Sequence, residues 1–146
     1  MRYAILIIAL LSATPAWAAE VAISGAWARA TAPGQDSAAV YLHITSQRST
    51  QIIAVTSPLA DNAEIHSMSH ENGMMKMRTL EKLPLPAKQE VVLGSGGNHL
   101  MLMGLKNPLK VGDLVPLTFT LQFSDKHKKK VTVKAEVKPL TTNDEP

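Results

Sequence analysis

The stretch from Asn98 to Leu105, NHLMLMGL, puts His99, Met101 and Met103 on one parity and Leu100 and Leu102 on the other. Successive side chains of a β-strand point to opposite faces, so the leucines would enter a core while an imidazole and two thioethers project together from the other side. A strand with one wet face ordinarily carries Thr, Lys or Glu there. Imidazole and thioether are instead borderline and soft donors, and thioether ligation favours Cu(I) over hard cations.

A second segment offers the same donors. Six of the seven methionines fall in two windows beside histidine: Met68, Met74, Met75 and Met77 in HSMSHENGMMKM, and Met101 and Met103 in the stretch above, with Met1 alone outside. Methionine is usually a filler of irregular core gaps, and clustering of this degree fits that use poorly. His66 and Met68 share a parity with Glu64, Met75 and Met77 share one in the next run, and Ser69 to Gly73 has turn composition. A hairpin would therefore bring His66 near Met77. With His99 and Met101 packed beside them, two imidazoles and two thioethers would hold a cuprous ion in a trigonal or near-tetrahedral shell in which nothing must lose a proton, provided each histidine is neutral. Acid should loosen such a site, through the range in which an ordinary histidine titrates, about pH 6.5. Met74 is expected to pack inward, Met68, Met75 and Met103 to shield or relay the ion, and His70 to lie in the turn. His43 and His127 read as structural or solvated.

The elements that must position these donors are strands. Short β-branched and apolar runs recur about every ten residues between Pro, Gly, Asn and Asp. They span Val21 to Arg29, Ala38 to Thr45, Thr50 to Thr56, Ala63 to Met68, Met74 to Leu80, Gln89 to Leu93, His99 to Met103, Leu114 to Phe123 and Lys130 to Val137. The class is all-β, and regular short strands suggest a sandwich. Breakers include Leu83-Pro84-Leu85-Pro86 and Gly94-Ser95-Gly96-Gly97. The second is a tight loop between strands, because the Lys-Ser or Lys-Thr and helix of a phosphate loop do not follow it. Ser57 to Asn62 has the composition of one helical turn, with Ser57 as cap and Pro58 at the first helical position.

The first residues, MRYAILIIALLSATPAWAAE, combine Arg2, an apolar run from Tyr3 to Ala13 and the small residues of Ala16-Trp17-Ala18. They read as a secretory signal peptide cleaved after Ala18, since the run is shorter than the roughly 20 residues a bilayer-spanning helix needs. Residues 1–18 are thus a signal, 19–140 a single domain and 141–146 a polar tail. Cleavage leaves 128 residues, with 14 basic against 12 acidic, and most of the excess lies in DKHKKK, Asp125 to Lys130. A run this short reads as a solvated hairpin tip, so neither nucleic acid nor stable membrane insertion is expected. The chain has no cysteine, which excludes thiolate chemistry and the Cys ligand of blue-copper electron transfer. No nucleophile elbow and no His-Glu-x-x-His helix is present, so an enzyme is not expected.

His66, ten intervening residues, Met77, twenty-one intervening residues and then His99-x-Met101 resemble the signature of the periplasmic copper chaperone family called PCuAC. GAWARATAPG, GMMKMRTL, GGNHLMLMGLKNPLKVGD and LTFTLQF are similar to that family's framework, and together they cover most of the chain after the signal. The resemblance implies a cupredoxin-like β-sandwich in the periplasm. It would bind Cu(I) through His66, Met77, His99 and Met101 and act as a monomer. Delivery would be to the CuA centre of cytochrome c oxidase, directly or alongside a Sco-type thiol protein. Some members carry a His- and Met-rich C-terminal extension. This sequence ends KPLTTNDEP, so a single cuprous site is expected. Copper sequestration without a dedicated acceptor is the alternative the same residues allow.

Overall fold

A computed structural model describes residues 19–142. The expected signal segment and the last four residues of the expected tail lie outside them. Within these residues ten strands form in chain order: β1 Val21–Arg29, β2 Ser37–Ser46, β3 Thr50–Thr56, β4 Ala60–Glu71, β5 Met74–Leu80, β6 Leu83–Leu85, β7 Glu90–Leu93, β8 His99–Leu105, β9 Leu114–Phe123 and β10 Lys128–Lys138. Among the described residues there is no helix. The all-β expectation holds, in a cupredoxin-like sandwich.

Hydrogen bonding runs in the order β5-β4-β8-β2-β1-β10-β9-β3-β6, with β7 also on β2. The sheet folds over a single core because its long strands β2 and β9 alternate strictly. On β9, Val115, Leu117, Phe119, Leu121 and Phe123 are buried while the residues between them are not. On β2 the same alternation buries Ala38, Val40, Leu42, Ile44 and Ser46. β7 and β8 share one edge of β2, β7 pairing with Leu42 to Thr45 and β8 with Ser37 to Val40. The Gly94 to Gly97 loop links them, closed by the Gly94 amide on the Asn98 carbonyl at 2.9 Å. This tight loop lets β8 lie between β2 and β4.

Two expectations fail here. The Ser57–Asn62 segment is not helical: Pro58 and Leu59 form a turn and β4 already begins at Ala60. Ser57 still caps it, its hydroxyl accepting the Leu59 amide at 3.3 Å, but pairing of Ala60 to His66 with β8 outcompetes a helical turn. The Leu83-Pro84-Leu85 breaker is itself a strand. β6 lies at the sheet edge against Thr50 to Ile52 with Leu83 and Leu85 buried, a place where proline's missing N–H is harmless.

Gly104 fixes the far end of β8. Its φ of +67° is left-handed, and a Cβ there would sit 2.7 Å from Asp61 Oδ2 and 2.9 Å from Asp61 Cβ on neighbouring β4. Gly104→Ala is expected to destabilise the fold by about 1–3 kcal/mol, measurable by urea unfolding.

Candidate metal centre

β4 is the organising strand because it carries donors and touches both neighbours. Its register with β8 sets His66 opposite His99, Ile65 opposite Leu100 and Glu64 opposite Met101. Its register with β5 sets His66 opposite Thr79, Met68 opposite Met77 and His70 opposite Met75. Side chains directly opposite one another share a face. Glu64, His66, Met68 and His70 of β4, Met75, Met77 and Thr79 of β5, and His99, Met101 and Met103 of β8 therefore form one surface. Ile65, Leu100 and Leu102 point the other way and are buried at 5% exposure or less. The period-two reading of the opening stretch thus holds in three dimensions.

The four expected ligands cross this face on a diagonal. His66 and His99 are its centre, with ring centroids 5.6 Å apart and planes nearly perpendicular at 84°. Met77 is diagonal to His66 on the β5 side and Met101 diagonal to it on the β8 side. Long, unbranched methionine side chains can fold inward from such positions. His99 is buried and His66 is half-buried, whereas Met77 is 57% exposed. One flank of the diagonal is thus open to solvent.

Hydrogen bonds decide which ring nitrogens are free. His66 Nε2 lies 3.0 Å from Glu64 Oε2, and the Thr79 hydroxyl donates to the same oxygen at 3.1 Å. Both bonds hold the Glu64 carboxyl below its ordinary pKa, that from His66 contributing most. A carboxylate there accepts the His66 Nε2–H and leaves the lone pair on Nδ1. That Nδ1 is buried with no hydrogen-bond partner among the described residues. His99 has the opposite arrangement: Nδ1 donates to the Gly97 carbonyl at 3.3 Å, leaving the lone pair on Nε2. Each imidazole is oriented by a second partner and keeps one nitrogen for a Lewis acid, as ligating histidines do.

Glu64 is the residue that sequence reasoning placed on the right face without giving it a role. The signal was there, since Glu64 precedes His66 by the two residues that make strand neighbours on one face. Because its pKa is lowered in the fold, its stabilising contribution is present above the unfolded-state pKa and lost as pH falls through the lower, folded value. The Glu64–His66 contact should thus persist to below the ordinary glutamate range. Glu64→Ala is expected to weaken metal binding about 10- to 100-fold while Glu64→Gln, which keeps an acceptor, recovers much of it. Competition titration of the metal distinguishes the two.

Met74 corrects an expectation. It is 63% exposed rather than packed inward. β8 begins at His99 opposite His66, so β4 beyond His66 pairs only with β5, and the arm from Ser67 to Arg78 overhangs the sheet. No core layer lies beneath it to receive Met74. His70 likewise is not in the turn. The turn is Asn72-Gly73 alone, with φ of 53° and 76°, the two left-handed residues of a tight hairpin.

Among the described residues, no group of three or more His, Cys, Asp or Glu side chains is placed to hold a metal ion. Any metal on this face would need the thioethers, which suits a soft monovalent cation and not zinc. A separate cavity of about 410 Å³, bordered by Trp27, Tyr41 and His43, contains none of the thioethers.

Comparison with known proteins bears on the family and the fold. The family described as putative lipoprotein LpqE-like matches residues 21–137. The putative lipoprotein Lxx21020 of Leifsonia xyli subsp. xyli (strain CTCB07) is 33% identical over 106 residues, 72% of this chain and 63% of that protein. The chain thus spans less than two thirds of that relative's length. The solution structure of CuI-DR1885 from Deinococcus radiodurans superposes with a TM-score of 0.61 at 33% identity, over 78% of this chain and 75% of the other. The apo PCuAC domain of PmoF2 gives 0.69 at 21% identity, over 86% and 95%, a likeness of fold. The match across residues 21–137 makes this chain a member of the LpqE-like family, the family of the PCuAC domains.

Proposed function

We propose that this chain is an exported, periplasmic metallochaperone that carries one Cu(I) on His66, Met77, His99 and Met101. It hands the ion to the CuA centre of cytochrome c oxidase, directly or alongside a Sco-type thiol protein. The observation that carries the reading is the buried Nδ1 of His66, unpartnered among the described residues, beside His99 on a face that also carries the thioethers of Met68, Met75, Met77, Met101 and Met103. Burying a polar atom with no partner costs free energy, which a bound cation would remove. Copper(I)-bound DR1885, 33% identical, lends the ion its identity. Export is supported by the signal-like first 18 residues and by the lipoprotein description of the family. With no cysteine in the sequence, a thioether-linked lipid has no attachment atom within it.

The chemistry is ligand exchange without a change in oxidation state. Neutral thioethers bind Cu(I) without deprotonation and release it without uptake of a proton, so an acceptor offering thiolate or imidazole can replace them one at a time. The exposed Met77 side is where an acceptor can reach the ion first. His66 and His99, held by Glu64 and Gly97, keep their orientation through the exchange.

The test is a Cu(I) competition titration under reducing conditions, repeated with Zn(II) and Cu(II), followed by mixing of the Cu(I) form with an apo CuA domain. Tight Cu(I) binding with movement of metal to the acceptor supports the proposal. A preference for Zn(II) would overturn the metal assignment. Tight binding with no transfer to any respiratory acceptor would replace delivery by sequestration.

A further inference from the structure

The overhanging β4–β5 arm carries donors that the four-ligand site does not use. Its two faces differ in charge. One bears Ser67, Ser69, Glu71, Met74, Lys76 and Arg78, with Glu71 paired to Lys76 at 2.8 Å and to Arg78 at 3.2 Å. The other bears His66, Met68, His70, Met75, Met77 and Thr79, with no charged side chain between His66 and the turn. A two-residue Asn72-Gly73 loop closes the ladder on a hydrogen-bonded pair, Glu71 with Met74. By alternation, His70–Met75, Met68–Met77 and His66–Thr79 are then the non-hydrogen-bonded pairs, in which side chains approach most closely. The donors thus occupy the closer positions of every second rung. Each rung pair along one face is about 7 Å from the next.

We infer that Met68, His70 and Met75 form a second Cu(I) station near the tip of this arm, distinct from the inner site and linked to it through Met77. Two thioethers and one imidazole make a three-donor shell suited to a cuprous ion, more exposed and with fewer donors than the inner one. His70 is exposed and Met75 is 58% exposed, so this station meets solvent and any incoming or departing donor first. Met77, directly opposite Met68 and diagonal to both His70 and His66, is placed to pass the ion between the two stations. The ion would move by exchange of neutral ligands, with no electron transferred. The inference rests on the inner site being a Cu(I) site, and its test separates the two.

The purified protein is titrated with Cu(I) under reducing conditions against bicinchoninate, with ¹³C-labelled methionine methyl groups observed in parallel. Two equivalents are expected, the second at least about tenfold weaker, and the second shifts the Met68 and Met75 methyl signals. The double variant His70→Ala, Met75→Leu should lose the second equivalent and keep the first within about threefold. His66→Ala should lose the tighter equivalent and keep the weaker one. A single equivalent in the wild type, unchanged in the double variant, would overturn the outer station and leave the inner site standing. A second equivalent that survives the double variant would overturn it equally. Absence of any Cu(I) binding in the wild type would instead remove the reading on which both rest.

Discussion

Leu100→Ala is expected to lower the unfolding free energy by about 2–5 kcal/mol, whereas Met101→Ala, the adjacent residue, should change the stability of the metal-free protein by less than about 1 kcal/mol. Leu100 is fully buried beside Leu102, opposite Ile65 on β4 and Val40 on β2. Truncating it removes apolar burial and leaves a cavity that a sheet hydrogen-bonded on both sides cannot readily collapse. For a domain of this size the loss amounts to a fall in the thermal midpoint on the order of 10 °C. Met101 points away from that core, and its loss should be seen in the Cu(I) titration. Calorimetry of the two metal-free variants decides the matter. Should Met101→Ala unfold the domain while Leu100→Ala is silent, the assignment of faces is inverted.

The largest effect on metal is expected from His66→Ala, with a loss of Cu(I) affinity greater than about 100-fold, beyond the range typical of residues that only orient a ligand. His66 sits at the middle of the diagonal, next to His99 and between the two methionine flanks. Removing Met77 or Met101 takes away one end, but removing His66 takes away the only donor adjacent to both ends. The metal-free fold should tolerate the change, since the ring makes its hydrogen bond only to Glu64 and its Nδ1 makes none among the described residues. Release of that unpartnered nitrogen can even raise apo stability slightly. His99→Ala is a less clean experiment, because His99 is buried at 7% exposure and holds the Gly97 carbonyl that ends the loop into β8. A His66→Ala protein that binds Cu(I) as tightly as the wild type would remove the inner site as described.

Much of this was legible from the chain because strand periodicity is local. The alternation of Leu100 and Leu102 with His99, Met101 and Met103 fixes which side chains share a face as soon as the segment is extended. The limits of β9 follow from its own alternation, and those of β1, β3 and β5 from their residue types and the breakers that flank them. The soft donor set and the expectation of Cu(I) likewise depend only on residue type.

The tertiary structure decided what depends on neighbours distant in sequence. Local pattern does not say that β8 lies between β2 and β4, nor that it starts level with His66. That register sets the two imidazoles together and leaves the arm beyond them overhanging, which is why Met74 is exposed instead of buried. Pro84 hid β6 because proline's cost in a sheet vanishes at an edge, and only the assembled sheet reveals where its edge is. The turn composition of Ser69 to Gly73 was right only for Asn72 and Gly73, since cross-strand pairing extends β4 to Glu71. The pairing of Glu64 with His66 and Thr79, and with it the choice of free ring nitrogen, exists only once β4 and β5 are in register. Sequence thus settles which side chains share a face of a strand, and long-range pairing settles what that face meets.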